Sequence, residues 1–535
     1  MESQQQQQLE TDGPNVLGMP SRLSRFAENP FAASGIGLAY AAILITLGLL
    51  LHVSGDAASE TDFFDNYVEQ ARLFLAGDVS VDPYRGPVYP IILALLSVVL
   101  SGLGAGMFET GIVLSALSAG IAIWMLYQTL RSLFSGGFAL LSVVIVATNP
   151  VFVRYAYTAG NDMFFVALAT VSVYLFLRMK NPGRLGLVLT AAGVAAAYLT
   201  RYTGIAVLIA MVIAIVIVNV WRQKWSSRLV SALVLVGVFI VLIAPWAIYS
   251  KQQTGKFFYN KNYINIALGV YSTKGDSDRF FRKNPNTFTS FVDVVAYDPA
   301  KFLVTLPERT FRHLNTMVFR VTQLPIGAIA VMGVLMLLIR PPGRREVAFY
   351  LFGMTYLGVV LLVFYSDRFF LFLIPIVVVL AVRGLVDFFE IARSKRRGRV
   401  GVAIVLAVLL ANNLLASVLY NRIHIRGETT DLRDLGTDFV RASGGAGGKV
   451  VARLPHFAYY AGLEHVRLPL LDTYDELLAF MREARADYLF FGTAAVRTRR
   501  ELGELMNPDK DHPGLRVVAA GSFGVLYAVD KQKAP

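Results

Sequence analysis

The chain has 535 residues, of which 55% are hydrophobic and 16% charged, with 50 Lys and Arg against 37 Asp and Glu and a net charge of +13. Soluble domains carry about 25% charged residues, so this composition excludes an ordinary globular protein and specifies a polytopic membrane protein. The basic excess lies in short loops between apolar runs, where it orients the chain in a bilayer rather than binding nucleic acid; the absence of Cys excludes disulfides and thiol chemistry, and the six scattered histidines form no metal-ligand pair.

Residues 1–30 are Gln-rich and polar and read as a disordered cytoplasmic tail. Apolar runs at 36–53, 110–130, 137–150, 163–179, 185–200, 203–220, 229–249, 324–339, 347–365, 368–388 and 400–420 make eleven candidate spans. The first follows a polar stretch without a small-residue cleavage site, so it is read as retained. A twelfth run, 88–104, is near the lower length limit for crossing. Loop charge decides its fate. If it does not cross, seventeen basic residues face the cytoplasm, from Arg22 and Arg25 through Arg131, Arg222 and Arg345 to Arg399. The short outer loops then hold only Arg72, Arg85, Arg154, Arg201 and Arg368. A crossing would turn fifteen of the seventeen outward, against the positive-inside rule. Residues 88–104 are therefore expected along the outer interface, entered through Pro87 and Pro90.

The expected architecture is a polytopic α-helical membrane protein of about eleven spans plus a juxtamembrane helix. Its domains are the tail, 1–30; a transmembrane domain, 31–420, with outer loops 54–109 and 250–323; and a soluble extracytoplasmic α/β domain, 421–535. In that last segment "KVVARL", "DYLFFG", "LRVVAA" and "FGVLYAV" read as strands. "TYDELLAFMREARA" reads as a helix with Thr473 and Glu476 at capping-box spacing. "SGGAGGKV" lacks the phosphate-loop pattern, having Ser443 and Val450 where Gly and a hydroxyl residue are needed, and reads as a linker.

Three groups carry chemistry on the outer side. The stretch "DFFDNYVEQARLFLAGDVSVDPYRGPVYP" holds Asp62, Asp65, Tyr67, Tyr84, Arg85 and Tyr89. A carboxylate at a membrane surface can act as general base, and a nearby Arg can hold a phosphate through forked hydrogen bonds. Idle, solvated loop carboxylates are the plainer reading. "TAGNDMFF" puts Asn161 and Asp162 at the mouth of a span, where Asp162 either serves chemistry or caps the helix. Arg201 and Tyr202 in "LTRYTG" and Arg368 in "YSDRFFLFLIP" sit at outer boundaries. They either snorkel, with Asp367 pairing a neighbouring base, or form a basic cluster for a lipid phosphate.

Taken in order, these segments resemble the GT-C superfamily of polytopic glycosyltransferases, in particular the branch of protein O-mannosyltransferases and bacterial aminoarabinose transferases. The resemblance spans roughly residues 36–390 and rests on the Asp, Tyr, "FLAG", "R.PVYP" order of the first outer loop, on "NDMFFVALATVSVYLFLR", on "AAGVAAAYLTRYTGIAVLI" and on "DRFFLFLIPIVVVLA". It implies transfer of a sugar from a polyprenyl-phosphate donor to a glycan, lipid or protein acceptor at the outer face of the plasma (inner) membrane, with inversion. Asp62, the first choice, or Asp65 would be the base, and Asp162 would orient the acceptor, assist as a second carboxylate or ligate a metal. Arg85, Arg201 and Arg368 would bind the lipid phosphate, and Tyr67, Tyr84, Tyr89, Asn161 and Tyr202 the substrates. No cofactor is implied; outer carboxylates are few, which disfavours a divalent metal. Where the family has Arg-Tyr, this chain has Arg368-Phe369, one hydroxyl fewer. A transporter or flippase would show inverted repeats and midplane charges, which the sequence lacks. A catalytically silent assembly factor is the remaining alternative.

Overall fold

The computed structural model describes residues 29–53, 60–272, 277–284, 286–391, 396–445 and 447–530. Most of the expected N-terminal tail and the basic residues Arg393 and Lys395 lie outside them. The chain divides into two compact units, one drawn from Met1–Gly48, Ser80–Tyr271 and Thr287–Arg422, the other from Leu49–Val79, Ser272–Asn286 and Ile423–Pro535.

The first unit is helical, and each expected apolar run contains a helix. Five helical stretches among the described residues are long and apolar enough to cross a membrane, or six if one bent pair is a single span. The helices Arg184–Thr200, Tyr202–Val218 and Leu324–Ile339 are apolar but shorter, so length alone does not yield eleven crossings. Helix Val88–Ser101 has 14 residues, about 21 Å at 1.5 Å per residue, too short to span.

Local sequence explains the breaks. Helix Gly136–Ala147 turns by 66° into helix Pro150–Tyr157. Asn149 accepts from the amides of Val151 (3.1 Å) and Phe152 (3.0 Å), and Pro150 takes the first helical position, where its missing N–H costs nothing. Segment 250–323, expected as a loop, instead folds into helices Tyr263–Tyr271, Ser277–Lys283, Phe291–Tyr297 and Pro299–Thr316. Its apolar residues are too widely spaced to read as spans, yet Ser290 and Asp298 cap the last two helices by accepting from Asp293 N and Lys301 N.

Close helix packing depends on glycine. A Cβ on Gly333, in helix Leu324–Ile339, would lie 2.0 Å from the Leu380 carbonyl oxygen of helix Ile374–Ile391. One on Gly384 would lie 2.6 Å from the Gly333 backbone. Small residues let the two backbones meet, as in membrane bundles generally. Gly333→Leu is expected to destabilise the helical unit by more than the ~1–3 kcal/mol typical of overpacking, since backbone cannot move aside. Thermal unfolding of purified protein in lipid checks this; an unchanged midpoint would show that the pair is not close-packed.

The second unit holds a five-stranded sheet in the order β2-β1-β3-β5-β4. The strands are β1 Lys449–Ala452, β2 Glu464–Arg467, β3 Tyr488–Gly492, β4 Leu515–Gly521 and β5 Gly524–Val529. β1 is parallel to β2 and β3, while β5 runs antiparallel to β3 and β4. Period-two alternation splits the core between the faces: Leu489 and Phe491 pack with Leu477 and Met481, and Phe490 with Phe457 and Leu526. The expected helix forms at Tyr474–Glu483. Thr473 accepts from Glu476 N (3.2 Å), but the Glu476 carboxylate accepts from Asp472 N (2.9 Å), one residue earlier than a capping box requires. β2 was not expected, because "EHVR" is polar and lies at an exposed edge.

Leu49–Val79, the end of the first expected span and the first part of the expected outer loop, belongs to this second unit. His52 anchors them. Its Nδ1 lies 2.7 Å from the Glu428 carboxylate and its Nε2 3.1 Å from that of Glu60, while Glu428 also accepts from Val53 N at 2.8 Å. Burial alone lowers an imidazole pKa; the two carboxylates outweigh it and raise His52 to about 10. A raised folded pKa adds stability that is complete below the unfolded value of about 6.5 and lost as pH rises through the folded one. The thermal midpoint of this unit should fall by about 5 °C or more between pH 7 and 11. Glu428→Gln should shrink that fall; an identical pH profile would contradict the anchor.

Candidate active site

Helix Asn161–Arg178 begins after Gly160 and carries Asp162 in its first turn. Helix Arg184–Thr200 ends at Arg201, which is extended before the short 3-10 turn Tyr202–Gly204. The break releases the Arg201 side chain from the helix path, and its Nη1 donates to Asp162 Oδ1. The Arg201 and Asp162 side chains are 14% and 11% exposed, so the pair is desolvated and strongly orienting. Asn161 Nδ2 donates to the Thr200 carbonyl (3.3 Å), tying the same two helix ends together.

The Arg85 loop packs on this break. Asp82 Oδ1 accepts from the amides of Tyr84 (2.5 Å) and Arg85 (3.1 Å). Its other oxygen lies 3.6 Å from Arg85 Nη1. Tyr202 donates its hydroxyl to the Arg85 carbonyl at 3.1 Å. A Cβ on Gly86 would sit 2.0 Å from the Leu199 carbonyl oxygen, so only glycine lets the loop close on the helix end. Asn262 Nδ2 holds the Tyr84 carbonyl at 2.8 Å, so residues of segment 250–323 help shape the site. Tyr89 is fully buried, with its ring 5.8 Å from Phe164, and acts as a packing residue.

Arg368 joins through an aromatic ring. The guanidinium groups of Arg201 and Arg368 each lie 5.4 Å from the Phe369 centroid, and Arg201 also lies 5.9 Å from Phe165. The departure from Arg-Tyr to Arg368-Phe369 thus removes a hydroxyl while keeping a π face for two cations. Asp367 is engaged by Arg320 (3.2 Å) and by the Tyr365 hydroxyl. Arg154 donates to the Tyr420 hydroxyl at 3.4 Å and stands 5.7 Å from the Tyr155 ring. Phe369, Asp82, Arg154 and Arg320 were assigned no role from sequence. Arg154 had left a signal as one of the scarce basic residues expected on the outer side, and Phe369 as a departure from Arg-Tyr.

The three remaining candidates belong to the second unit. Asp62 precedes a π-helical turn, Phe63–Tyr67, that contains Asp65 and Tyr67. Tyr67 is 2% exposed and serves the core. Asp65 lies 3.5 Å from His465 Nδ1 on β2. Burial acts to raise its pKa, but the hydrogen bond and charge of His465, with the charge of Arg467, hold it below the usual carboxylate range. The sequence candidates therefore fall into two groups: Arg85, Asn161, Asp162, Arg201, Tyr202 and Arg368 with Tyr84 and Tyr89 in one unit, and Asp62, Asp65 and Tyr67 in the other. Among the described residues no three His, Asp or Glu side chains cluster as a metal site.

Three comparisons bear on this arrangement. Residues 84–249, which contain Arg85, Asp162 and Arg201, match the sequence profile of the dolichyl-phosphate-mannose-protein mannosyltransferase family. ArnT from Cupriavidus metallidurans, solved bound to undecaprenyl phosphate, superposes with a TM-score of 0.54 over 94% of this chain and 99% of that one, at 16% identity. The Archaeoglobus fulgidus oligosaccharyltransferase solved with Zn and sulfate gives 0.57 over 93% of this chain and 74% of that one, at 15% identity. The same organism's AglB, solved with an inhibitory peptide and a dolichol-phosphate, gives 0.51 over 93% and 75%, at 12% identity. No curated protein matches by sequence. The fold is that of the GT-C membrane glycosyltransferases, as the sequence resemblance implied.

Proposed function

We propose that the chain is a glycosyltransferase that moves a sugar from a polyprenyl-phosphate donor to an acceptor hydroxyl at the extracytoplasmic face of the plasma membrane, inverting the anomeric centre. The observation that carries this reading is the pair of guanidinium groups, Arg201 and Arg368, sharing the Phe369 ring, with Arg201 aimed by Asp162. The matched structures of ArnT and AglB contain undecaprenyl phosphate and dolichol-phosphate, and a lipid phosphate is the chemistry this cation pair suits.

In the reaction, Asp62 takes the proton of the acceptor hydroxyl as its oxygen attacks the anomeric carbon. The bond from that carbon to the phosphate oxygen breaks, and polyprenyl phosphate leaves with the electron pair. Negative charge grows on the leaving phosphate, where Arg201, Arg368 and Arg85 oppose it. Asp162 has no proton to move while it is paired; it fixes the direction of Arg201. One displacement suffices, so no covalent intermediate forms and no cofactor is needed. The N-terminus lies in the cytoplasm, and the C-terminal unit lies outside.

Binding of undecaprenyl phosphate to the purified protein, measured by native mass spectrometry, tests the phosphate site. Arg201→Ala with Arg368→Ala should weaken it by about tenfold or more, and dephosphorylated polyprenol should bind no better to wild type than to the double variant. Equal affinity of wild type and variant for the phosphate would reject the site.

A further inference from the structure

Helix Pro299–Thr316 is amphipathic the wrong way round for a helix in water. Phe302, Arg309 and His313 share one face of it and are buried. The opposite face carries Val304, Pro307 and Phe311, at i, i+3 and i+7, with Leu303 beside them. Val304 is 77% exposed, Phe311 73% and Leu303 65%. A surface helix in water shows the reverse, with its apolar stripe inward and its charges outward.

The inner face is locked. Arg309 Nη2 donates to the carbonyls of Leu362 (3.1 Å) and Val363 (2.6 Å), just beyond helix Arg344–Val360. His313 Nδ1 donates to the Arg309 carbonyl at 2.7 Å. A Cβ on Gly269 would lie 2.4 Å from Arg309 Nη2, so helix Tyr263–Tyr271 closes over the guanidinium. Rolling the helix to cover Val304 and Phe311 would strip these bonds from a buried cation, at a heavy penalty. The ridge is therefore held outward and needs an apolar environment of its own.

The setting of the helix identifies that environment. It runs through the π-helical turn Met317–Val321 into helix Leu324–Ile339. That apolar helix exposes Val331, Val334, Leu335 and Leu338, as the lipid-facing side of a membrane bundle does. Phe319, between the two helices in the chain, is 52% exposed. Lys301, Glu308 and Arg312 lie along one edge of the ridge, within about 40° of one another around the helix axis. All three are exposed, and Arg312 pairs with Glu308. An apolar ridge with a charged edge is the layout of a helix that lies in the plane of a membrane interface.

We propose that helix Pro299–Thr316 is seated in the bilayer interface at the end where helix Leu324–Ile339 begins, with Val304 and Phe311 among the acyl chains and Lys301, Glu308 and Arg312 at the headgroups. Through Arg309 the same helix holds Leu362 and Val363, so the chain that leads to Arg368 is tied to the membrane surface.

The test uses nitroxide labels on the full chain in lipid. The sequence has no Cys, so Val304→Cys, Phe311→Cys and Glu308→Cys each provide a single labelling position. Power-saturation EPR compares collisions with oxygen, which concentrates among acyl chains, against those with a water-soluble nickel chelate. The labels at Val304 and Phe311 should favour oxygen and lie about 5–10 Å into the headgroup–acyl boundary. The label at Glu308 should favour the chelate. Labels at Val304 and Phe311 that favour the chelate would place the ridge in water and overturn the proposal. Labels there that neither reagent reaches would show protein over the ridge, a second copy or another chain, and would overturn it as well. Should either ridge variant fail to fold, Leu303→Cys gives the same reading, with oxygen favoured if the ridge is in lipid.

Discussion

Asp62→Asn is expected to reduce sugar transfer by about a hundred- to ten-thousandfold, the range over which general-base catalysis contributes. The substitution keeps shape and hydrogen-bonding capacity and removes only the ability to take a proton. Donor binding should be little changed, so the loss falls on kcat. Asp65→Asn should cost less. Its carboxylate is already committed to His465 and Arg467 and held as the anion. Its loss would weaken orientation rather than remove the proton acceptor. A larger effect at Asp65 than at Asp62, measured as kcat in the same lipid preparation, would reverse the two roles.

Arg201→Ala is expected to cost about a hundred- to a thousandfold in kcat, as removal of one fixed donor to developing charge does elsewhere. The cation is desolvated and aimed at once by Asp162 and by the faces of Phe165 and Phe369. Its removal also leaves Asp162, 8% exposed, as a carboxylate without its guanidinium, which adds a structural penalty. Arg201→Lys should not rescue. An ammonium keeps the charge but loses the planar fork that meets a carboxylate and a phosphate together, and it stacks less well on the rings. Asp162→Asn separates the two effects, because it frees the guanidinium without deleting it. Its loss should be smaller than that of Arg201→Ala, and a loss as large would make Asp162 itself a reacting group. Because Arg201 and Arg368 share one ring, their double variant should show a loss that is not the product of the singles.

Much of this organisation is legible in the sequence, for identifiable reasons. Long apolar runs and loop charge bound the helices of the first unit, and period-two patterning finds β1, β3, β4 and β5. Three π-helical turns, at Phe63–Tyr67, Ala214–Val218 and Met317–Val321, escape such reading. Each adds one residue to a turn and shifts the following helix face, which a 3.6-residue period cannot register. The run 203–220, read as one span, is for that reason a 3-10 turn, a helix and a π turn ending at Asn219, whose φ of 54° is left-handed. β2 stayed hidden because a polar edge strand lacks alternation. Phe369 read as a lost hydroxyl, since one position seen alone cannot show that two arginines from distant segments lie over the same ring.

The most direct measurement is transfer of radiolabelled sugar from a panel of polyprenyl-phosphate donors by purified protein in lipid, with Asp62→Asn and Arg201→Ala beside wild type. The account predicts product from at least one donor, with turnover lost in both variants while each retains the wild-type melting profile. Turnover that survives both substitutions would contradict the site, and a chain that moves the intact lipid-linked donor across the bilayer without cleaving its sugar-phosphate bond would contradict the reaction.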